Sequence, residues 1–394
     1  MAPYFLLKKQ YLYTMDNPLL IGLTCGGAFL LAFLLFNHPV GSNTVANKWL
    51  AFFVATFACA MLEIFLFNLS LHIQYPVSFA FIEVVRLFSA PILYLSILFF
   101  TTPSKRFKPR DLWHFTPFAV LFLFQLINIG KEENFQFENE LIQSLFLQAL
   151  LLILPLQTLV YLFLSFRRLG QHQRNIEKVT SATEAVDLSW MKNFLLALVA
   201  VVLVWFNLAF FNITVLYRYT PLLYLVGLYC LAYFSLRQKE IFAFAPAQLA
   251  ELEPIIGLNS SDKNQKQQRL SESMVSSLKV KLEQVMIYDK AFLENELSLP
   301  MLAQQVGVSA HELSYLINEA YGENFYAFVN RHRVAEAKRL LSSAQLEQLN
   351  MLGIAFKSGF NSKTTFNTAF KKQTGQSPTE FVKQSREQQQ ARNA

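Results

Sequence analysis

From Leu19 onward the chain alternates long apolar runs with short polar breaks, and after Leu236 this rhythm stops. A membrane-spanning helix needs about 20 mostly apolar residues. Seven segments meet that length approximately: 19–36, 49–71, 79–100, 112–129, 141–166, 194–216 and 219–236. The last two are parted only by Tyr217-Arg218, which predicts a tight turn. Beyond 236 the apolar residues thin to a 3.6-residue period, the pattern of amphipathic helices with one buried face. The expected fold is therefore all-α: a seven-transmembrane helical bundle over 1–236, a linker over 237–274, a helical domain over 275–385 and a polar tail over 386–394.

Charge follows the same division. Residues 1–236 carry 15 Lys/Arg and 11 Asp/Glu, whereas the shorter 237–394 carries 19 and 16. Cations favour the cytoplasmic side of a membrane. One alternating set of connections holds 12 of them (Lys48; Lys105, Arg106, Lys108 and Arg110; Arg167, Arg168, Arg174, Lys178 and Lys192; Arg237 and Lys239). The opposite set holds four: Lys8, Lys9, Lys131 and Arg218. This bias predicts a multi-pass membrane protein, N-terminus outside, with the C-terminal domain in the cytoplasm. The first apolar run ends in no small-residue cleavage site and six spans follow, which argues against a signal peptide.

Charged residues inside the spans are costly and are normally paired or functional. Spans two and three should form a hairpin turning near Gln74-Tyr75, placing Glu63 and Arg86 at similar depth. Glu83 stands one turn from Arg86 on the same helix. An ion pair locking the hairpin is the first expectation for Glu63, Glu83 and Arg86. A ligand-facing sensing cluster is the second. Gly22-x-x-x-Gly26 and Ala51-x-x-x-Ala55-x-x-x-Cys59 are small-residue ridges for close helix approach, within the bundle or between two copies.

Little of this supports enzymatic chemistry. Cys25, Cys59 and Cys230 lie in apolar runs with no metal or redox spacing, and the six histidines are scattered. No zinc-protease, Walker A, nucleophile-elbow or kinase signature occurs. A non-enzyme without cofactor or metal is expected.

In the linker, Pro246, Pro254 and the polar run 259–268 predict a tether with little core. The apolar series Val275, Leu278, Leu282, Val285 and Phe292 is too short for a coiled coil and reads as the domain's first helix. Two helix-turn-helix units follow. In Ser298–Asn318, Pro300 suits a first helical turn and Gly307 the bend, while Ser309-x-x-Glu312 is a capping box. An amphipathic helix over 325–341 carries Arg331, Arg333, Lys338 and Arg339. In the second unit Gly359 makes the bend, Ser362 caps a helix over 363–373, Phe366 and Phe370 share a buried face, and Gly375 with Pro378 ends it.

These ordered features resemble the AraC-type DNA-binding domain over residues 275–385. The matching residues are Leu302-Ala303, Gly307-x-Ser309, Asn330-x-x-Arg333-x-x-x-Ala337-x-x-Leu340-Leu341, Ile354-Ala355, Gly359-Phe360, Phe366, Phe370-Lys371-Lys372, Gly375 and Pro378. The whole plan is similar to membrane-embedded bacterial members of that group. The resemblance implies recognition helices in successive major grooves of double-stranded promoter DNA. His311, Ser314 and Tyr315 would face bases in the first unit, and Lys363, Thr364, Thr365 and Thr368 in the second. Arg331, Arg333, Lys338, Arg339, Lys371 and Lys372 would supply cations for the backbone. Further partners of this reading are the lipid bilayer, RNA polymerase, a second copy of the chain and an unidentified signal ligand.

The charge distribution departs from an even share between the units. Residues 291–330 hold no Lys or Arg and five glutamates, whereas 331–394 hold 11 Lys/Arg and four glutamates. Phosphate attraction supplies much of a DNA binder's affinity, so the second unit and the joining helix should dominate anchoring. The leading expectation is a membrane-tethered transcription regulator, with activation or repression left open. A receptor whose acidic first unit engages a protein is the alternative. A small transporter with a regulatory tail is weaker, because the spans show no inverted repeat.

Overall fold

The computed structural model describes residues 17–71, 74–75, 82, 85–103, 107–116, 119, 122–123, 140–184, 186–210, 220–256, 272–343 and 349–393. Among them the chain is all-helical, with no strand and a single antiparallel bridge between Thr180 and Ser298. It divides into two compact units. The first comprises 1–170 and 188–241, and the second 171–187 and 242–394.

The first unit contains α1 (Pro18–Phe36), α2 (Thr44–Asn68), α3 (Ser89–Phe100), most of α4 (Glu140–Ile176), α5 (Ser189–Phe210) and α6 (Thr220–Arg237). Asn17 starts α1, its side chain accepting from the Leu20 N–H at 3.0 Å while Pro18 occupies the first turn. α1 and α2 pack through Ile21, Cys25, Met61, Ile64 and Phe67. A Cβ on Gly22 would lie 3.2 Å from the Phe65 ring, whereas one on Gly26 would meet nothing within 4 Å. Only the first glycine of the expected ridge thus serves close packing inside the bundle. Leu19, Leu23, Leu30 and Phe33 of α1 point outward and are exposed.

Among the described residues three helices, α1, α2 and α6, are long and apolar enough to cross a membrane, and Arg86–Phe100 and Ser189–Val204 are shorter apolar helices. The expected span 112–129 lies largely outside the described residues, and its described start is a 3-10 turn, Pro109–Phe115. The expected Tyr217-Arg218 turn and Glu83 also lie outside them. The Glu63–Arg86 pair is present: Arg86 Nη2 stands 3.2 Å from Glu63 Oε2, and the Glu63 side chain is fully buried. A cavity of about 180 Å³ opens beside this pair, walled by Phe53, Phe57, Tyr161, Phe194 and Tyr224, with Arg86 among its lining.

The second unit contains α7 (Pro246–Ile256), α8 (Glu272–Ile287), α9 (Leu299–Val306), α10 (Ala310–Tyr321), α11 (Phe325–Leu341), α12 (Met351–Lys357), α13 (Lys363–Thr374) and α14 (Pro378–Asn393). α8 forms over the apolar series from Val275 to Val285, with Leu282 and Val285 buried, but Phe292 lies beyond its end and α7 precedes it in the unit. Part of the expected tether instead builds core. α7 packs against α10 and buries Leu252 and Ile256, because its apolar residues four apart form one face. The expected polar tail continues the helix α14. α11 holds the expected bounds and joins the two halves. The second half's core comprises Val334, Ala337, Leu340 and Leu341 of α11 with Ile354, Ala355, Phe360, Phe366, Ala369 and Phe370.

Candidate nucleic-acid interface

Each helix-turn-helix is fixed by local chemistry. Gly307 closes α9 at φ 77°, and its N–H returns to the Ala303 carbonyl at 2.8 Å. That left-handed conformation suits glycine. Ser309 then opens α10 through a reciprocal box. The Glu312 N–H donates to Ser309 Oγ at 3.2 Å, and the Ser309 N–H donates to Glu312 Oε2 at 2.9 Å. Those donors from Ser309 hold the Glu312 carboxyl below its ordinary range.

The second bend is more tightly specified. Gly359 has φ +87°, and a Cβ there would fall 2.3 Å from the Phe292 carbonyl and 3.1 Å from Arg333 Nε. No side chain fits without displacing backbone. Ser362 caps α13, its Oγ accepting from the Thr365 N–H at 3.1 Å.

The structure separates the expected DNA-facing residues into three groups. His311, Lys363, Thr364, Thr368, Lys371 and Lys372 are exposed, and Ser314 and Tyr315 are half-buried. The joining-helix cations are already engaged. Arg331 pairs with Glu323 at 3.1 Å and lies over the Tyr321 and Phe328 rings. Arg339 makes a two-pronged bond to Glu336 at 2.8 and 2.9 Å, drawing that carboxyl below its usual range. Lys338 is exposed above the Phe381 ring.

Two residues leave the interface. Thr365 is 7% exposed and packs into the α13 start. Arg333 is wholly buried. Its Nε donates to the Phe292 carbonyl at 2.8 Å, and Nη2 donates to the Glu294 carbonyl at 2.7 Å and Ser181 Oγ at 3.0 Å. Burial pushes the guanidinium down to about 10, against the pull of Tyr326 and Glu294. It remains charged at neutral pH and stitches the two halves together rather than reaching DNA. The reason is positional: Val329, Arg333 and Ala337 recur every four residues on the inward stripe of α11.

Nothing in the apolar pattern marks residues 171–187 as part of this domain. They lie in the second unit, where the Ser181 N–H donates to the Leu297 carbonyl at 3.1 Å and the Leu299 N–H to the Val179 carbonyl at 2.9 Å. The Tyr326 N–H also donates to the Glu177 carbonyl at 3.0 Å. Val179 is fully buried. Two carboxylates from outside the helix-turn-helix units reach the starts of the recognition helices. Glu184 Oε1 accepts from Ser362 Oγ and, at 3.2 Å, from the Thr365 N–H. Glu251 Oε2 accepts from the Ala310 N–H at 3.2 Å. The only sequence signal was a trio of acids, Glu177, Glu184 and Asp187, inside an otherwise basic connection.

A family model described as a helix-turn-helix domain matches residues 302–384. Among curated proteins, the HTH-type transcriptional regulator AlkR of Acinetobacter baylyi is 35% identical over 95 residues, 24% of this chain and 30% of that protein. An uncharacterized HTH-type transcriptional regulator of Staphylococcus aureus is 33% identical over 101 residues, 26% of this chain and 13% of that protein. The chain thus spans less than a third of the length of these relatives. No solved structure matches. The chain carries a C-terminal helix-turn-helix domain similar to those of proteins named HTH-type transcriptional regulators.

Proposed function

We propose that this chain is a membrane-bound, sequence-specific DNA-binding transcription regulator whose first unit senses a signal and whose second unit binds promoter DNA. The observation that carries the reading is the pair of capped recognition helices, α10 and α13, the second presenting Lys363, Thr364, Thr368, Lys371 and Lys372 to solvent. Polar and cationic side chains on an exposed recognition helix suit base edges and phosphates together. The relatives' names support regulation by the same domain.

The membrane part of the proposal rests on three apolar helices of spanning length and on the cation bias of the connections. In this reading seven spans cross a bacterial inner membrane, the N-terminus lies outside, and the DNA-binding unit lies in the cytoplasm. The apolar cavity beside Glu63–Arg86 is the place for a signal molecule. Chromatin mapping of the full-length protein in its own cells tests the DNA reading. Discrete promoter peaks are expected, and a uniform background would overturn it. Arg86→Gln tests the sensing reading: an inserted, folded protein that still responds normally to its signal removes Arg86 from that role.

A further inference from the structure

We propose that Glu184 and Glu251 block the recognition helices of this same domain by occupying the positions that DNA phosphates would take, so that DNA binding requires their withdrawal. The inference rests on the DNA-binding reading above and adds its regulation.

Both contacts fall where a helix-turn-helix meets DNA, at the N-terminal end of the recognition helix. That end attracts anions through its unpaired N–H groups and dipole. Glu184 takes the Thr365 N–H and the Ser362 hydroxyl at the start of α13, and Glu251 takes the Ala310 N–H at the start of α10. Neither helix needs an outside carboxylate for capping. Thr365 N–H already reaches Ser362 Oγ at 3.1 Å, and Glu312 N–H already reaches Ser309 Oγ at 3.2 Å. A negative charge at each site opposes an approaching phosphate, and beside them Lys363, Thr364 and His311 are left exposed.

The two carboxylates are mechanically linked. Segment 171–187, which bears Glu184, is fastened by the Ser181–Leu297 and Val179–Leu299 backbone bonds, and Asn324 Nδ2 donates to Glu177 Oε2 at 3.3 Å. Lys178 Nζ donates to the Ile255 carbonyl at 3.3 Å, joining this segment to α7, which bears Glu251. Displacing the segment withdraws Glu184 directly and removes one of the contacts that hold α7 beside α10. In chain order it comprises the end of α4 and the connection to α5, whose remaining residues belong to the first unit, so a signal felt there has a covalent route to it.

The test uses the full chain in lipid nanodiscs and a labelled 30-base-pair duplex of random sequence, titrated across salt. Glu184→Gln with Glu251→Gln keeps the hydrogen-bond acceptors and removes the charges. Binding is expected to tighten about fivefold or more, the scale of a coupled site. The dependence on salt should also steepen by about one to two phosphate contacts. Unchanged or weaker binding, with wild-type hydrogen exchange in α11, overturns the proposal. A second variant carries Glu184→Cys and Ser362→Cys in a chain with its three native cysteines replaced by serine. Oxidised, it should lose duplex binding that reduction restores. Failure to cross-link, or equal binding in both states, overturns the block. If wild type binds and no variant differs, only this inference falls. If no form of the chain binds any duplex, the DNA-binding reading falls with it.

Discussion

At the residue scale, Arg333 shows how a cation can be misplaced by its company. It stands in a helix with Arg331, Lys338 and Arg339, yet it alone lies on the stripe of Val329 and Ala337 and is buried against carbonyls. The four-residue spacing was legible, but charge suggested the surface and burial won because three oxygens compensate the guanidinium. Arg333→Ala should cost about 3 kcal/mol in denaturant unfolding of the second unit, since three acceptors lose a charged donor. It should leave the salt dependence of DNA binding unchanged at temperatures where the unit stays folded. Its neighbour His332 provides a second test. Burial, with the adjacent Arg331 charge, pushes its imidazole down to about 4, while it stacks on Phe292. The unfolded chain protonates this group near its ordinary 6.5 and the folded chain does not. Stability is therefore full above about 6.5 and falls as pH drops from there toward 4. His332→Phe, which keeps the stack, should flatten that slope in calorimetric unfolding.

At the element scale, the two recognition helices are built alike and charged differently. The capping box, Gly307, Ser362, Gly375 and Pro378 were legible because capping is decided within four or five residues. Docking of 171–187 was not legible. Its hold on the domain is backbone bonds with Leu297, Leu299 and Tyr326 and side-chain bonds, most of them to residues more than a hundred positions away, which leave no periodicity. The helix α7 was hidden for a related reason: Pro246 and Pro254 read as breaks, although proline is tolerated at a helix start and α7 accommodates the second near its end. The charge contrast between the helices yields a prediction about anchoring. Lys371 and Lys372 are exposed on α13, while α10 bears Glu312 and Glu319 and no cation. Lys371→Glu with Lys372→Glu should abolish duplex binding, whereas Lys371→Gln with Lys372→Gln should weaken it and lower the salt slope by about two. His311→Ala should weaken binding only a few-fold. Equal losses would show that the two helices share the grip.

At the scale of the whole molecule, composition marked a break near residue 236, and the structure draws the line differently. The second unit takes 171–187, the end of α4 and the connection after it, so the unit that carries the helix-turn-helix domain is discontinuous in sequence. Composition could not show this, because the segment's Val179, Ala182 and Ile176 look no different from any short apolar patch until their burial is seen. A fragment such as 242–394 is therefore an incomplete domain. It lacks the partners of Leu297, Leu299 and Tyr326 and the Ser181 hydroxyl that Arg333 holds. With about 1 kcal/mol net for each lost hydrogen bond, the fragment should be less stable than the second unit of the full chain by at least about 3 kcal/mol. Hydrogen exchange at the amides of α11 and at Leu299 reads the difference. A synthetic peptide of residues 171–187 added in trans should restore protection at Leu299 and Tyr326 and, if Glu184 blocks α13, compete with duplex DNA for the fragment. Restored protection without competition would make the segment a strut that leaves the recognition helix open. Protection that the peptide does not change would mean that 171–187 holds the domain only while joined to the helices on either side of it.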